Sequence, residues 1–127
     1  MASLIYLDTN VVLWLAGARE QLSEGAVRHI NEAPLLLICP MVELEIEYLH
    51  EIGRIQEPAS VVLEHLRGGL NLRHCDRGFA AVAAVARTIK WTRDPFDRLI
   101  TAQAMIGDDV LLTRDKIIRA NYARATW

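Results

Sequence analysis

The sequence is short of every feature that marks a special class of protein. Its two cysteines, Cys39 and Cys75, lie far apart and outside any C-x-x-C pattern, which excludes a disulfide framework and offers no zinc set. Both are read as reduced packing residues. With 4 Pro and 7 Gly in 127 residues, the chain is neither fibrous nor disordered in composition. The longest apolar stretch near the start, residues 3–18, is cut by Asp8-Thr9-Asn10 and has no basic leader. It falls short of the roughly 20 residues that a membrane span requires, so the expectation is a protein without a signal peptide or span that stays in the cytoplasm. A net charge of −2 shows no overall excess of either sign.

What remains is 52% apolar and 24% charged residues, a composition that can bury a core within a single domain covering residues 1–127. The charge is unevenly spread. Residues 1–64 carry ten acids and three Arg, a balance of −7, whereas residues 65–127 carry six acids and eleven Arg or Lys, a balance of +5. Such a division suits two differently solvated faces, and it also suits a protein that gathers acids at one spot and presents Arg to a polyanion.

Strand-like and helix-like segments alternate. Residues 4–7 form a short apolar β-type run, and the helix after Asp-Thr-Asn ends at Gly17. Ser23 caps a helix to about Glu32, residues 35–39 read as a strand buried on both faces, and Pro40 opens a helix that Gly53 stops. A helix from Pro58 to Gly68-Gly69, a short strand at 70–75 and an Ala-rich helix at 77–88 follow. Asp94-Pro95 starts a helix to Ile106, residues 110–113 form another buried strand, Asp115 begins a last helix, and Trp127 ends a closing strand. This alternation predicts βαβ units with a parallel sheet wrapped by helices on both faces, whose ligand crevice lies at the carboxyl ends of the strands.

Acids cluster at those positions. Asp8 follows the first strand directly and Asp115 follows the strand at 110–113 by two residues, although Asp also favours a helix N-cap. On the helix from Pro40, Met41, Val42, Leu44, Ile46, Tyr48, Leu49, Ile52 and Ile55 share one broad arc with Glu45 in its middle, whereas Glu43, Glu47, His50, Glu51 and Arg54 lie opposite. A carboxylate on an inward face needs an Arg, a metal or strong donors. Asp94 and Asp97 stand at the N-cap and N3 of their helix, with Asp97 at the edge of its apolar face. If Asp8, Glu45, Asp97 and Asp115 converge, protons or cations must neutralise them, and a set of oxygens without His or Cys favours Mg²⁺ or Mn²⁺. Hydrolysis of a phosphodiester is the usual task of such a site. An aspartyl phosphotransfer enzyme with Asp8 as nucleophile fits less well, because Asn10 stands where a second acid is expected.

LDTN at 7–10, PMVELEIEYLHEIGRI at 40–55, DPFDRLITAQA at 94–104 and LLTRD at 111–115 occur in an order and spacing that resembles the PIN-domain ribonucleases, and within them the VapC-like toxins of type II toxin–antitoxin pairs. The resemblance covers nearly the whole chain. It implies a three-layer α/β/α sandwich around a parallel sheet, and a toxic, Mg²⁺- or Mn²⁺-dependent endoribonuclease held silent by a VapB-like antitoxin. It further implies a homodimer, assembled with antitoxin into a heterotetramer or larger. By resemblance Asp8, Glu45, Asp97 and Asp115 are the metal-binding acids, while Thr113, Asn10 and Asp94 orient them. Arg93, Arg98 and Arg114 adjoin the acids and are candidates for RNA phosphates or for pairing with the carboxylates. Trp14, Phe79 and Trp91 are read as core residues and the four His as surface or packing residues; Val11, Leu15, Tyr48 and Leu49 are read as lining a groove for an antitoxin helix. The competing reading is a non-cleaving PIN-type regulator that binds RNA or protein.

Overall fold

The computed structural model describes residues 4–127; residues 1–3 of the expected 1–127 domain lie outside the described residues. Five short strands form one sheet: β1 Ile5–Leu7, β2 Leu36–Ile38, β3 Leu72–His74, β4 Val110–Leu112 and β5 Ala125–Thr126. Their order is β3-β2-β1-β4-β5 and every pairing is parallel. Seven helices connect or follow them: α1 Thr9–Gly17, α2 Glu24–Glu32, α3 Pro40–Glu51, α4 Ala59–Arg67, α5 Phe79–Ala86, α6 Pro95–Ile106 and α7 Lys116–Asn121. One 3₁₀ turn at Arg19–Gln21 has no counterpart among the sequence expectations.

β1 and β2 are buried at every residue, because a parallel sheet covered by helices on both faces leaves no polar side to its central strands. The helix ends obey local chemistry. Ser23 accepts from the Ala26 backbone N–H, Asp94 from those of Phe96 and Asp97, and Asp115 from those of Ile117 and Ile118. Gly53, at φ 79°, turns the chain out of α3 in a left-handed conformation that a side chain would strain. α4 begins after Pro58, which has no side chain to cap it, and Glu47 on α3 supplies the missing acceptor by taking the Ala59 N–H at 3.0 Å. Glu47 was expected simply to face water; it joins two helices instead.

The main core surrounds the sheet, and a smaller one, built from Val82, Ala86, Ile89 and Ala102, joins α5 to α6. Phe79 departs from the expectation of packing. It is 65% exposed at the first turn of α5. The broad apolar arc of α3 also divides. Val42 and Ile46 are fully buried, whereas Leu44, Tyr48 and Ile52 are about half exposed, since α3 packs on α1, α4 and α6 without covering that edge. Val11 and Leu15, read as groove residues, are instead core at 0% and 3% exposure.

One buried cluster ties the loop after β3 to the far end of α6. The Arg77 guanidinium lies over the Tyr6 ring at 5.6 Å, donates to the Gln103 carbonyl and pairs with Asp109 at 3.1 Å, while the Tyr6 hydroxyl donates to the Cys75 sulfur at 2.9 Å. Burial pushes the Cys39 thiol up to about 11, so at neutral pH it is a protonated packing residue.

Candidate active site

The strand order places β1 beside β4 while the chain leaves these neighbours towards different parts of the fold, which opens a crevice at their carboxyl ends. Asp8 follows β1 and Thr113-Arg114-Asp115 follows β4. The Asp8 backbone N–H donates to the Leu112 carbonyl at 3.0 Å, so the sheet ladder itself holds Asp8 at the crevice.

Asp8 is 8% exposed and its two carboxyl oxygens have different partners. Oδ1 accepts from the Thr9 N–H at 2.8 Å and Oδ2 from the Thr113 hydroxyl at 2.6 Å. Thr113 is fully buried and its Oγ1 also accepts from the Asp115 N–H at 3.0 Å, so one hydroxyl links the acid after β1 to the backbone of the acid after β4. Burial raises the Asp8 carboxyl above its ordinary range; the Thr113 and Thr9 hydrogen bonds oppose that, and the charges of Asp115 and Asp94 add to it.

Glu45, half-buried on α3, meets no Arg. It accepts from the Thr9 hydroxyl at 2.5 Å, and burial together with the charges of Asp8 and Asp94 raises it despite that bond. Asp97, one turn into α6, accepts no side-chain hydrogen bond from the described residues. Burial first, and then the charges of Asp94, Asp8, Asp115 and Glu45, push its carboxyl up to about 7. Asp94 is exposed and spent on capping α6, so it acts on the crevice as a nearby charge. Glu43 lies outside the group. It bridges to His74 at 2.9 Å on the surface, as its place opposite the apolar arc implies.

Neither the Glu43–His74 nor the Arg77–Asp109 ion pair involves Asp8, Glu45, Asp97 or Asp115. Two of the neighbouring arginines are engaged elsewhere: Arg98 donates through Nε to the Thr92 carbonyl at 2.8 Å and Arg114 stands over the Trp14 ring at 5.7 Å. Arg93 is exposed and has no partner among the described residues. Asn10 is exposed and makes no hydrogen bond among the described residues, so nothing in the geometry ties it to the acids. No three of the described acids stand close enough together to form a closed metal set. Their chemistry nevertheless fits a hard divalent cation: every donor is oxygen, the Asp8, Glu45 and Asp97 carboxyls carry raised proton affinity, and no cationic side chain among the described residues pairs with them.

Thr9 is the residue that reading the sequence overlooked. Its position beside Asp8 signals only a helix start, and its reach to Glu45 exists because α1 packs against α3.

The family model described as the PIN domain matches residues 5–123. Ribonuclease VapC22 of Mycobacterium tuberculosis is 30% identical over 119 residues, which span 92% of this chain and 91% of that protein. In fold the chain is similar to a toxin–antitoxin complex from Klebsiella pneumoniae, with a TM-score of 0.65 at 15% identity over 97% of this chain and 96% of the other. It is similar also to VapBC2 of Rickettsia felis, determined bound to a DNA fragment from its promoter, with a TM-score of 0.66 at 14% identity over 97% of each chain.

Proposed function

Because the chain belongs to the PIN-domain family, we propose that it is the toxin of a type II toxin–antitoxin pair, a Mg²⁺- or Mn²⁺-dependent endoribonuclease whose catalytic acids are Asp8, Glu45, Asp97 and Asp115. The observation that carries this reading is a group of partly or fully buried carboxyls without a cationic partner among the described residues. A fold that keeps such a group sets aside stability for a task, since Asp8, Glu45 and Asp97, each held above the usual carboxyl range, would be less costly as amides. Asp8 and Asp97 are the principal ligands in this reading, with Glu45 and Asp115 completing the set. A bound divalent cation supplies water activation and stabilisation of the leaving oxygen.

The protein's own residues do the rest. Thr113 fixes the orientation of Asp8 by occupying Oδ2, and the α6 backbone, capped by Asp94, holds Asp97 in the crevice. Arg93 and Arg114, both exposed and next to Asp94 and Asp115 in sequence, would take phosphates of the RNA on either side of the cut, and Arg98 steadies the loop that carries Arg93. The homologue named a ribonuclease and the toxin–antitoxin neighbours support the substrate and the partner. A VapB-like antitoxin would silence the site by bringing an Arg or Lys to the acids. Its apolar side would meet the exposed Leu44, Tyr48 and Ile52 rather than the buried Val11 and Leu15.

The test is cleavage of total cellular RNA by the purified chain with Mg²⁺, with a chelator, and with Asp8→Asn or Asp97→Asn. Cleavage is expected to require the metal and to fall by about a hundredfold or more in either variant, the scale of losing a group that acts directly on the reacting centre. A pure variant that cuts at the wild-type rate overturns the proposal. Purification together with the product of the adjacent open reading frame checks the partner.

A further inference from the structure

Thr9 stands outside the acid quartet yet touches two of its members. Its backbone N–H donates to Asp8 Oδ1 at 2.8 Å, and its hydroxyl donates to Glu45 Oε1 at 2.5 Å. The residue is 4% exposed and is the first of α1. A helix start needs no hydroxyl at that position, because the Asp8 side chain already receives the Thr9 N–H. The shape of Thr without its oxygen, that of Val, would fill the same space. The hydroxyl therefore answers to something other than helix formation, and what it reaches is a carboxylate on a different helix.

That carboxylate stands on the longest side chain of the quartet. Asp8 is held at both oxygens and Asp115 by two N–H groups of α7, whereas Glu45 stands on a longer side chain, has no ion pair, and is repelled by Asp8 and Asp94. Left alone it would swing away from them towards water. Threonine is stiff about χ1, so its hydroxyl offers a donor in a fixed direction. The bond occupies Oε1, and Oε2 accepts no hydrogen bond from the described residues.

We propose that Thr9 is a positioning residue that holds Glu45 beside Asp8, so that both carboxylates face one divalent cation. This rests on the metal-nuclease reading above. Calorimetric titration with Mn²⁺ of the wild-type chain, Thr9→Val, Thr9→Ser, Glu45→Gln and the Thr9→Val/Glu45→Gln pair tests it. Thr9→Val is expected to weaken Mn²⁺ binding about tenfold, the lower end for loss of a residue that orients a ligand, and Thr9→Ser to stay within about threefold of wild type. In the Glu45→Gln background the Val substitution is expected to change Mn²⁺ affinity by less than about twofold, since the two residues act as one unit.

Wild-type Mn²⁺ affinity in Thr9→Val overturns the proposal, as does a tenfold loss that persists without the Glu45 carboxylate. If Thr9→Val does not fold, Thr9→Ala takes its place under the same criteria. A wild-type chain that binds no Mn²⁺ overturns the metal-nuclease reading together with this one, whereas a wild type that binds it no better than Thr9→Val overturns this one alone.

Discussion

Asp97 carries the clearest cost of the crevice. Its folded-state carboxyl lies at about 7 against 3.8 for the free side chain, so the folded chain binds its proton more tightly than the unfolded chain does. The stability that comes from the protonated carboxyl is fully present below about pH 4 and is lost as pH rises through 7. Asn imitates the protonated form at every pH. The melting temperature of metal-free Asp97→Asn should therefore exceed that of wild type by a margin that grows between pH 5 and pH 8, and differential scanning calorimetry across that range would show it. A constant margin would mean that Asp97 does not titrate there. Glu43 and Glu45 make a second comparison on one helix. Glu45→Gln should reduce RNA cleavage by about tenfold or more, whereas Glu43→Gln, which loses only a solvent-exposed bridge to His74, should cleave RNA at the wild-type rate.

The site depends on how the elements are anchored. α6 carries Asp97 at one end and is clamped at the other, where Gly107 leaves space for the Arg77–Asp109 pair. A Cβ at Gly107 would clash with Arg77 Nη2 and Asp109 Oδ2. The backbone there, at φ −99°, would accept any residue, so the demand for glycine comes from the neighbours. Gly107→Ala should lower stability by about 1–3 kcal/mol by urea denaturation, the scale of inserting a methyl into filled space. An unchanged midpoint would show that the Arg77 side chain moves aside freely. α7 differs, because its N-cap is itself a candidate ligand. Asp115 accepts two N–H bonds from the helix it starts, so its bland role and its functional one are the same placement.

At the scale of the molecule, the two edges of the fold contrast. Asp8 and Glu45 come from residues 1–64 and Asp97 and Asp115 from residues 65–127, and the charges of Asp8, Asp115 and Glu45 all act on the Asp97 carboxyl. Among the described residues no helix is long and apolar enough to cross a membrane. The outer side of α5, with Phe79 at 65% exposure and Ala80, Ala81 and Ala84 also exposed, is an apolar surface low enough for a second helix to approach closely. A homodimer through this side should sediment as a dimer at micromolar concentration and as a monomer in Phe79→Arg. A wild-type monomer would count against it.

Local chemistry written along the chain was enough to place the strands, the helices and their stops, because capping residues, Pro at helix starts and continuous apolar runs act over a few neighbours. It also identified Asp8, Asp97 and Asp115 as acids at strand and helix ends, and it separated Glu45 from Glu43, since the helical period alone assigns them to different faces. Tertiary packing decided what lies between elements. Whether an apolar residue is covered depends on which helix arrives opposite it, and so Phe79, Leu44 and Tyr48 are exposed while Val11 and Leu15 are core. The same holds for polar partners. Thr9 reaches Glu45, Thr113 reaches Asp8 and Arg77 reaches Asp109 across 36, 105 and 32 positions of sequence, and a hydrogen bond over such separations exists only once the chain has folded.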